Sequence, residues 1–158
     1  MKYGVKRGAT ARVSLINKLI VGRILAVDYG KKRVGIAVTD PGQMIANGLQ
    51  TVLSNEVFLF LERYLNTEKV DLFVVGYPKQ MNNQESESMV YIRPFVRGLK
   101  RKFPDIPVEM YDERFTSVMA HKALIEGGFK KKTREDKAGI DTMSATILLT
   151  SYLEYLKR

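Results

Sequence analysis

The sequence predicts an α/β fold whose sheet opens with antiparallel hairpins and continues with parallel strands delivered by helices. Two short apolar runs, Arg23–Asp28 and Arg33–Asp40, flank the turn Tyr29–Gly30–Lys31–Lys32, which is the pattern of a β-hairpin. Two later apolar runs, Val70–Gly76 and Pro107–Tyr111, each follow a stretch of helical periodicity. They should therefore rejoin the sheet parallel to the first strand, by right-handed connections. A length of 158 residues suits one domain with one sizeable core.

The elements follow in order. Residues 1–21 are expected to be a basic extension outside the fold, with residues 22–158 forming the single domain. The first 20 residues carry five basic side chains and no acid. Their longest apolar stretch, Leu15–Val21, is broken by Asn17 and Lys18, too short and too polar for a signal sequence or a membrane span. After the opening hairpin a third strand is expected over 47–53. Ser54 or Asn55 can then cap a helix with Val57, Phe58, Leu61 and Leu65 on one face. The strand at Val70–Gly76 is followed by a helix from about Glu85 to Phe103, with Met89, Ile92, Val96, Leu99 and Phe103 at helical spacing. Pro94 should kink or begin it. After the strand at Pro107–Tyr111, a helix starts at Thr116 or Ser117 and ends at Gly127–Gly128. A last helix covers Ile140–Leu156.

Composition narrows the chemistry. There is no cysteine, and His121 is the only histidine, so a zinc site would lack its usual ligands. A metal here should be a hard cation held by oxygen. The formal net charge of +9 attracts polyanions, nucleic acid among them. The remainder after the first 20 residues still carries +4, five positive charges and no negative one being removed.

In sheets of this kind ligands bind beyond the carboxyl ends of the parallel strands. Those ends fall at Asp28, at Gly76–Tyr77–Pro78 and at Asp112–Glu113. An ionised carboxylate at the end of an apolar strand needs a compensating partner. Asp141 sits at the start of the last helix, on the same face as Ala145, Leu148 and Tyr152, the core-facing stripe. Two like charges ~4 Å apart cost about 4 kcal/mol at an effective dielectric of ~20. A group of three persists only if protonated, spread apart or neutralised, and a divalent cation is the simplest neutraliser. Each residue also has a purely structural reading. Asp28 could open the turn, Asp141 could be a helix N-cap, and Glu113 could pair with Arg114.

Basic residues gather in three places. Lys31, Lys32 and Arg33 lie in the hairpin turn beside Asp28. Lys130, Lys131, Lys132, Arg134 and Lys137 lie in a loop before Asp141. Both flank the carboxylates and suit phosphate contact, which positions a backbone without reading its sequence. Arg93, Arg97, Lys100 and Arg101 share one helix face and read as a solvated surface. The pattern Asp28-x-Gly30 with Asp40 has a counterpart in the phosphate-binding hairpin of actin-like and sugar kinases, but those need two such domains. No Gly-x-x-x-x-Gly-Lys-Ser/Thr loop or Gly-x-Gly-x-x-Gly turn is present.

Four segments carry a family resemblance: Leu25–Asp40 (LAVDYGKKRVGIAVTD), Val75–Pro78 (VGYP), Asp112–Ser117 (DERFTS), and Ile140–Ala145 (IDTMSA) leading into Ile147–Leu153 (ILLTSYL). In that order and spacing, across about residues 22–157, the chain resembles the YqgF/RuvX family of pre-16S ribosomal RNA nucleases related to Holliday-junction resolvases. The resemblance implies an RNase H-like fold with a mixed five-stranded sheet flanked by helices. It implies that Asp28, Glu113 and Asp141 are catalytic and form the acidic metal site. It further implies Mg²⁺ or Mn²⁺, a cytoplasmic location and a role at the 5′ end of ribosomal RNA. Where the family often has Leu-Asn-Met-Asp-Gly after the Gly-x-Pro turn, this chain has Lys79–Gln80–Met81–Asn82–Asn83, losing one carboxylate and one glycine.

The expected function is therefore metal-dependent hydrolysis of nucleic-acid phosphodiesters in precursor ribosomal RNA. Arg114 and the Lys130–Lys137 loop would hold flanking phosphates. Three rivals remain at this point: a resolvase of branched DNA, which requires a symmetric dimer; a non-catalytic nucleic-acid-binding factor; and an actin-like phosphotransferase. The expected partner is nucleic acid and not a membrane, and the expected state is a monomer or homodimer.

Overall fold

A computed structural model describes residues 22–78, 86–116 and 137–158, without the side chains of Phe115 and of residues 137–141. Five strands run in the order β3-β2-β1-β4-β5: β1 is Arg23–Tyr29, β2 Arg33–Thr39, β3 Ala46–Leu53, β4 Val70–Tyr77 and β5 Val108–Asp112. β1–β2 and β2–β3 are antiparallel, while β1–β4 and β4–β5 are parallel. The mixed sheet expected from the sequence is the one observed. The described helices are α1 (Val57–Thr67), α2 (Met89–Lys102) and α3 (Lys137–Leu156). None of them is long and apolar enough to cross a membrane.

The central strand explains the two-layered core. Ile24, Leu25, Ala26 and Val27 are all buried, because β1 is covered on both faces and its alternate side chains enter different layers. Leu25 and Val27 pack with Val57, Leu61, Ile92, Phe95 and Leu99, under α1 and α2. Ile24 and Ala26 pack with Ala145, Leu148, Leu149 and Tyr152, under α3. By the same alternation Asp28 follows Ile24 and Ala26 onto the α3 side.

α3 lies close to the sheet because the residues beneath it are small: Ala26, Ala37 and, on β3, Gly48. A Cβ on Gly48 would stand 2.5 Å from Thr142 Cγ2 and 3.2 Å from Thr146 Oγ1. Thr51 Oγ1 and Thr142 Oγ1, 2.7 Å apart, tie the same stretch of helix to β3.

Several local expectations need correction. Ser54 is not a side-chain helix cap. Its hydroxyl donates instead to the carbonyls of Lys31 (2.7 Å) and Lys32 (3.2 Å), so it braces the hairpin turn, and a 3-10 turn over Ser54–Glu56 leads into α1. Pro94 lies inside α2 rather than at its start. The carbonyl that a residue-94 N–H would engage belongs to Val90, which lies on the exposed face of the helix. α3 begins at Lys137, which places position 141 in the second turn. The orphaned N–H groups that an N-cap serves are confined to the first turn, so Asp141 is not an N-cap. The helix expected from Thr116 or Ser117 to Gly128, the basic extension 1–21 and the segment 79–85 lie outside the described residues.

Gly48→Val forces α3 off β3. We expect a loss of roughly 1–3 kcal/mol of stability, as for other overpacked sites, read as a lower midpoint in urea unfolding. An unchanged midpoint would show that the helix can shift freely.

Candidate metal and nucleic-acid site

The parallel strands β1, β4 and β5 end at one rim. β1 and β4 are paired as far as Val27 with Val75, and β4 and β5 as far as Tyr77 with Asp112. Asp28 thus leaves β1 beside the end of β4, and Glu113 follows β5 directly, in the 3-10 turn Glu113–Phe115. The strand between them presents Gly76. A Cβ there would stand 3.0 Å from Glu113 Oε1 and 2.9 Å from Leu148 Cδ2. The missing side chain leaves the volume in which the Glu113 carboxylate lies across the end of β4 against α3.

The result is an open cleft of about 280 Å³ lined by Asp28, Glu113, Thr116, Ser144, Ile147 and Leu148. Its rim is oxygen-rich and its floor apolar. Burial is the main reason that Glu113 is pushed up from an ordinary 4.5 to about 7, with the negative charges of Asp28 and then Asp112 adding to it. Asp28 and Glu113, far apart in the chain, therefore stand close enough for the Asp28 charge to disfavour ionisation of Glu113.

Asp112 plays another part. Its side chain is 4% exposed, and its oxygens accept from Arg114: Oδ1 from the backbone N at 2.9 Å and Oδ2 from Nε at 2.9 Å. Arg114 Nη2 lies 2.8 Å from the same Oδ2. The pairing foreseen between Glu113 and Arg114 is thus made by the preceding residue.

The expected site residues fall as follows. Asp28 and Glu113 share the cleft. The backbone puts position 141 one turn ahead of Ser144 and Ala145 in α3, but its side chain is outside the described residues. Among those residues no group of three or more metal-binding side chains occurs. Lys31, Lys32 and Arg33 occupy the tight turn after β1, closed by the Gly30 N–H donating to the Arg33 carbonyl at 2.9 Å, on the same rim as Asp28. Lys31 and Lys32 are exposed. Lys130, Lys131, Lys132 and Arg134 lie outside the described residues, as does the side chain of Lys137. Asp40 is at the opposite end of the sheet, since β2 runs against β1. Its carboxylate accepts from the N–H groups of Gly42, Met44 and Ile45, and those bonds hold its pKa down. It closes its own loop and is no part of a phosphate-binding hairpin with Asp28.

Sequence reasoning missed Gly76, Ser144, Thr116 and Asp112 in these roles. Ser144 had a signal: it follows Asp141 by three residues, hence shares its side of the helix.

The family described as "RuvX: Holliday junction resolvase" matches residues 22–155. The chain belongs to the RuvX family. A Parabacteroides distasonis protein named "Putative pre-16S rRNA nuclease" is 61% identical over 87% of this chain and 98% of its own length. One of the same name from Phocaeicola vulgatus is 59% identical over 87% of this chain and 99% of its own length. Among solved structures, T. thermophilus RuvC in complex with Holliday junction substrate superposes with a TM-score of 0.53 at 14% identity, covering 85% of this chain and 96% of that one. That likeness speaks to the fold alone, which in this RuvX member is RNase H-like.

The raised Glu113 pKa carries a stability signature. The folded protein holds this proton more tightly than the unfolded chain, so the group's stabilisation is complete below pH 4.5 and is lost as pH rises through about 7. In chelator-treated protein, the thermal midpoint of wild type should fall relative to that of Glu113→Gln between those two pH values. Parallel curves for the two proteins would contradict the buried, charge-opposed Glu113.

Proposed function

We propose that this chain is a metal-dependent endonuclease that hydrolyses nucleic-acid phosphodiesters, acting in the cytoplasm on the 5′ end of precursor 16S ribosomal RNA. The observation that carries the reading is the convergence of Asp28 and Glu113 in one open cleft, with Glu113 desolvated and opposed by like charge. The names of the curated relatives supply the substrate.

The donor set fits a hard divalent cation, Mg²⁺ or Mn²⁺. Among the described residues it consists of carboxylate oxygens with the hydroxyls of Thr116 and Ser144 nearby, hard oxygen donors of the kind such a cation takes. Asp28, Glu113 and Asp141 would hold the ion. A cation held there would supply Lewis acidity for activating water and positive charge for the leaving oxygen of a phosphodiester.

The chain's own residues do the rest. Glu113 is kept in place by the gap at Gly76, and Asp28 by the end of a doubly buried strand. The apolar floor of Ile147 and Leu148 limits water behind the reacting phosphate. Lys31, Lys32, Arg33 and Arg114 supply positive charge on the same rim, suited to flanking phosphates. Lys130, Lys131, Lys132, Arg134 and Lys137 are proposed to extend that contact.

The family's description favours one second reading, cleavage of four-way DNA junctions. That activity needs two sites facing one junction and hence a symmetric dimer.

The test uses the full chain with Mg²⁺ or Mn²⁺ and either precursor RNA or a four-way DNA junction. RNA should be cut in preference. Asp28→Asn, Glu113→Gln and Asp141→Asn should each lower the rate by roughly 10³-fold, the scale of several kcal/mol of charge stabilisation, while RNA binding persists. Preferential junction cutting would establish the second reading. Cutting of neither substrate, with RNA binding intact, would leave a non-catalytic binding factor.

A smaller perturbation probes the same site. Gly76→Ala brings a methyl group to 3.0 Å from Glu113 Oε1 and 2.9 Å from Leu148 Cδ2, so the carboxylate must give by a few tenths of an ångström, and kcat should fall severalfold, since catalytic geometry is sensitive to shifts on this scale. Full activity in Gly76→Ala would show that the position of Glu113 is not critical.

A further inference from the structure

Beside the carboxylate cleft lies a second, differently built group. Asp112 and Tyr77 are partners across the β4–β5 pairing, and the Tyr77 phenol is close enough to Arg114 to influence its charge. Asp112 is almost wholly buried, whereas the Arg114 side chain is 35% exposed. The carboxylate binds one edge of the guanidinium through Nε and Nη2 and also caps the backbone of the turn at the Arg114 N–H.

We propose that Asp112 is a positioning residue: it fixes the guanidinium of Arg114 as a rigid phosphate-binding fork beside the carboxylate cleft, for the phosphodiester next to the one that reacts. This rests on the nuclease reading of the cleft.

Three physical points support it. An arginine on a flexible stem loses side-chain entropy when it binds phosphate. A guanidinium already clamped along one edge has lost it in advance, which is the benefit of preorganisation. Next, only the carboxylate of this pair is buried, while the guanidinium faces solvent, so its attraction is screened and the pair is a poor stabilising device. Its position at the end of a strand, with one member on either side of Glu113, points to what it orients. Finally, the cap on the Arg114 N–H sets the course of the 3-10 turn itself. One carboxylate thereby directs both residues that follow it, Glu113 toward the α3 side and Arg114 along the rim.

The experiment measures RNA binding by the full chain, with Ca²⁺ present, as a function of salt. The proteins are wild type, Asp112→Asn, Arg114→Ala, Arg114→Lys and the double variant Asp112→Asn/Arg114→Ala. Each phosphate contact contributes about one unit to the slope of log K against log salt. Arg114→Ala should lower the slope by about one unit. Asp112→Asn, which keeps the shape of the side chain, should reproduce most of that loss and weaken affinity about tenfold, as for a lost charge-assisted hydrogen bond. The double variant should bind no worse than Arg114→Ala alone. Arg114→Lys should behave like Asp112→Asn, since an ammonium cannot be gripped along a planar edge. Thermal midpoints recorded alongside separate this from simple loss of fold.

Independent, additive losses in the double variant, or an Asp112→Asn that changes only the thermal midpoint, would overturn the positioning role and leave the nuclease reading standing. Absence of RNA binding by wild type would overturn both.

Discussion

Two carboxylates from distant parts of the chain share one small volume, and that repulsion organises the rim of the sheet. Asp28 and Glu113 are brought together by strand pairing, not by attraction for each other. A core of apolar strands and helices supplies the work. β1 is buried on both faces, β4 lies between the two acids, and α3 closes over them. Burial removes water that would screen the charges, so the approach is tolerated either by a proton, as the raised Glu113 pKa indicates, or by a cation.

The surrounding residues make sense under that constraint. At Gly76 a methyl group would crowd Glu113 Oε1 at 3.0 Å, so the glycine leaves the carboxylate its room. Gly48 lets α3 settle onto β3, and so sets the depth of Ser144 and Leu148 in the cleft. Asp112, rather than its neighbour Glu113, takes the Arg114 guanidinium, and it caps the backbone of the same turn. These features lie on different elements, yet each regulates how closely charge approaches charge at the carboxyl ends of β1, β4 and β5.

Much of this was legible in the sequence. Apolar runs located the strands to within a residue or two, and a carboxylate at the end of an apolar run is visible without coordinates. What could not be read depends on approach between remote segments. Gly76 looks like turn material until Glu113 and Leu148 are placed beside it. Ser54 fits a helix cap by type, but a tertiary contact with the Lys31 and Lys32 carbonyls competes for its hydroxyl and wins. Asp112 and Glu113 are adjacent acids with no local signal to separate them. The strand's alternation and the 3-10 turn send them to different partners. Gly139 weakens the helical pattern, so the sequence points to a start at Ile140, whereas α3 begins at Lys137.

The most direct test of the account is a crystal of the full chain grown or soaked with Mn²⁺ and examined by anomalous scattering. The account predicts an ion within bonding distance of carboxylate oxygens from both Asp28 and Glu113, at the mouth of the cleft bounded by Ser144 and Thr116. Manganese bound elsewhere at saturating concentration, with that cleft holding only water, would contradict it.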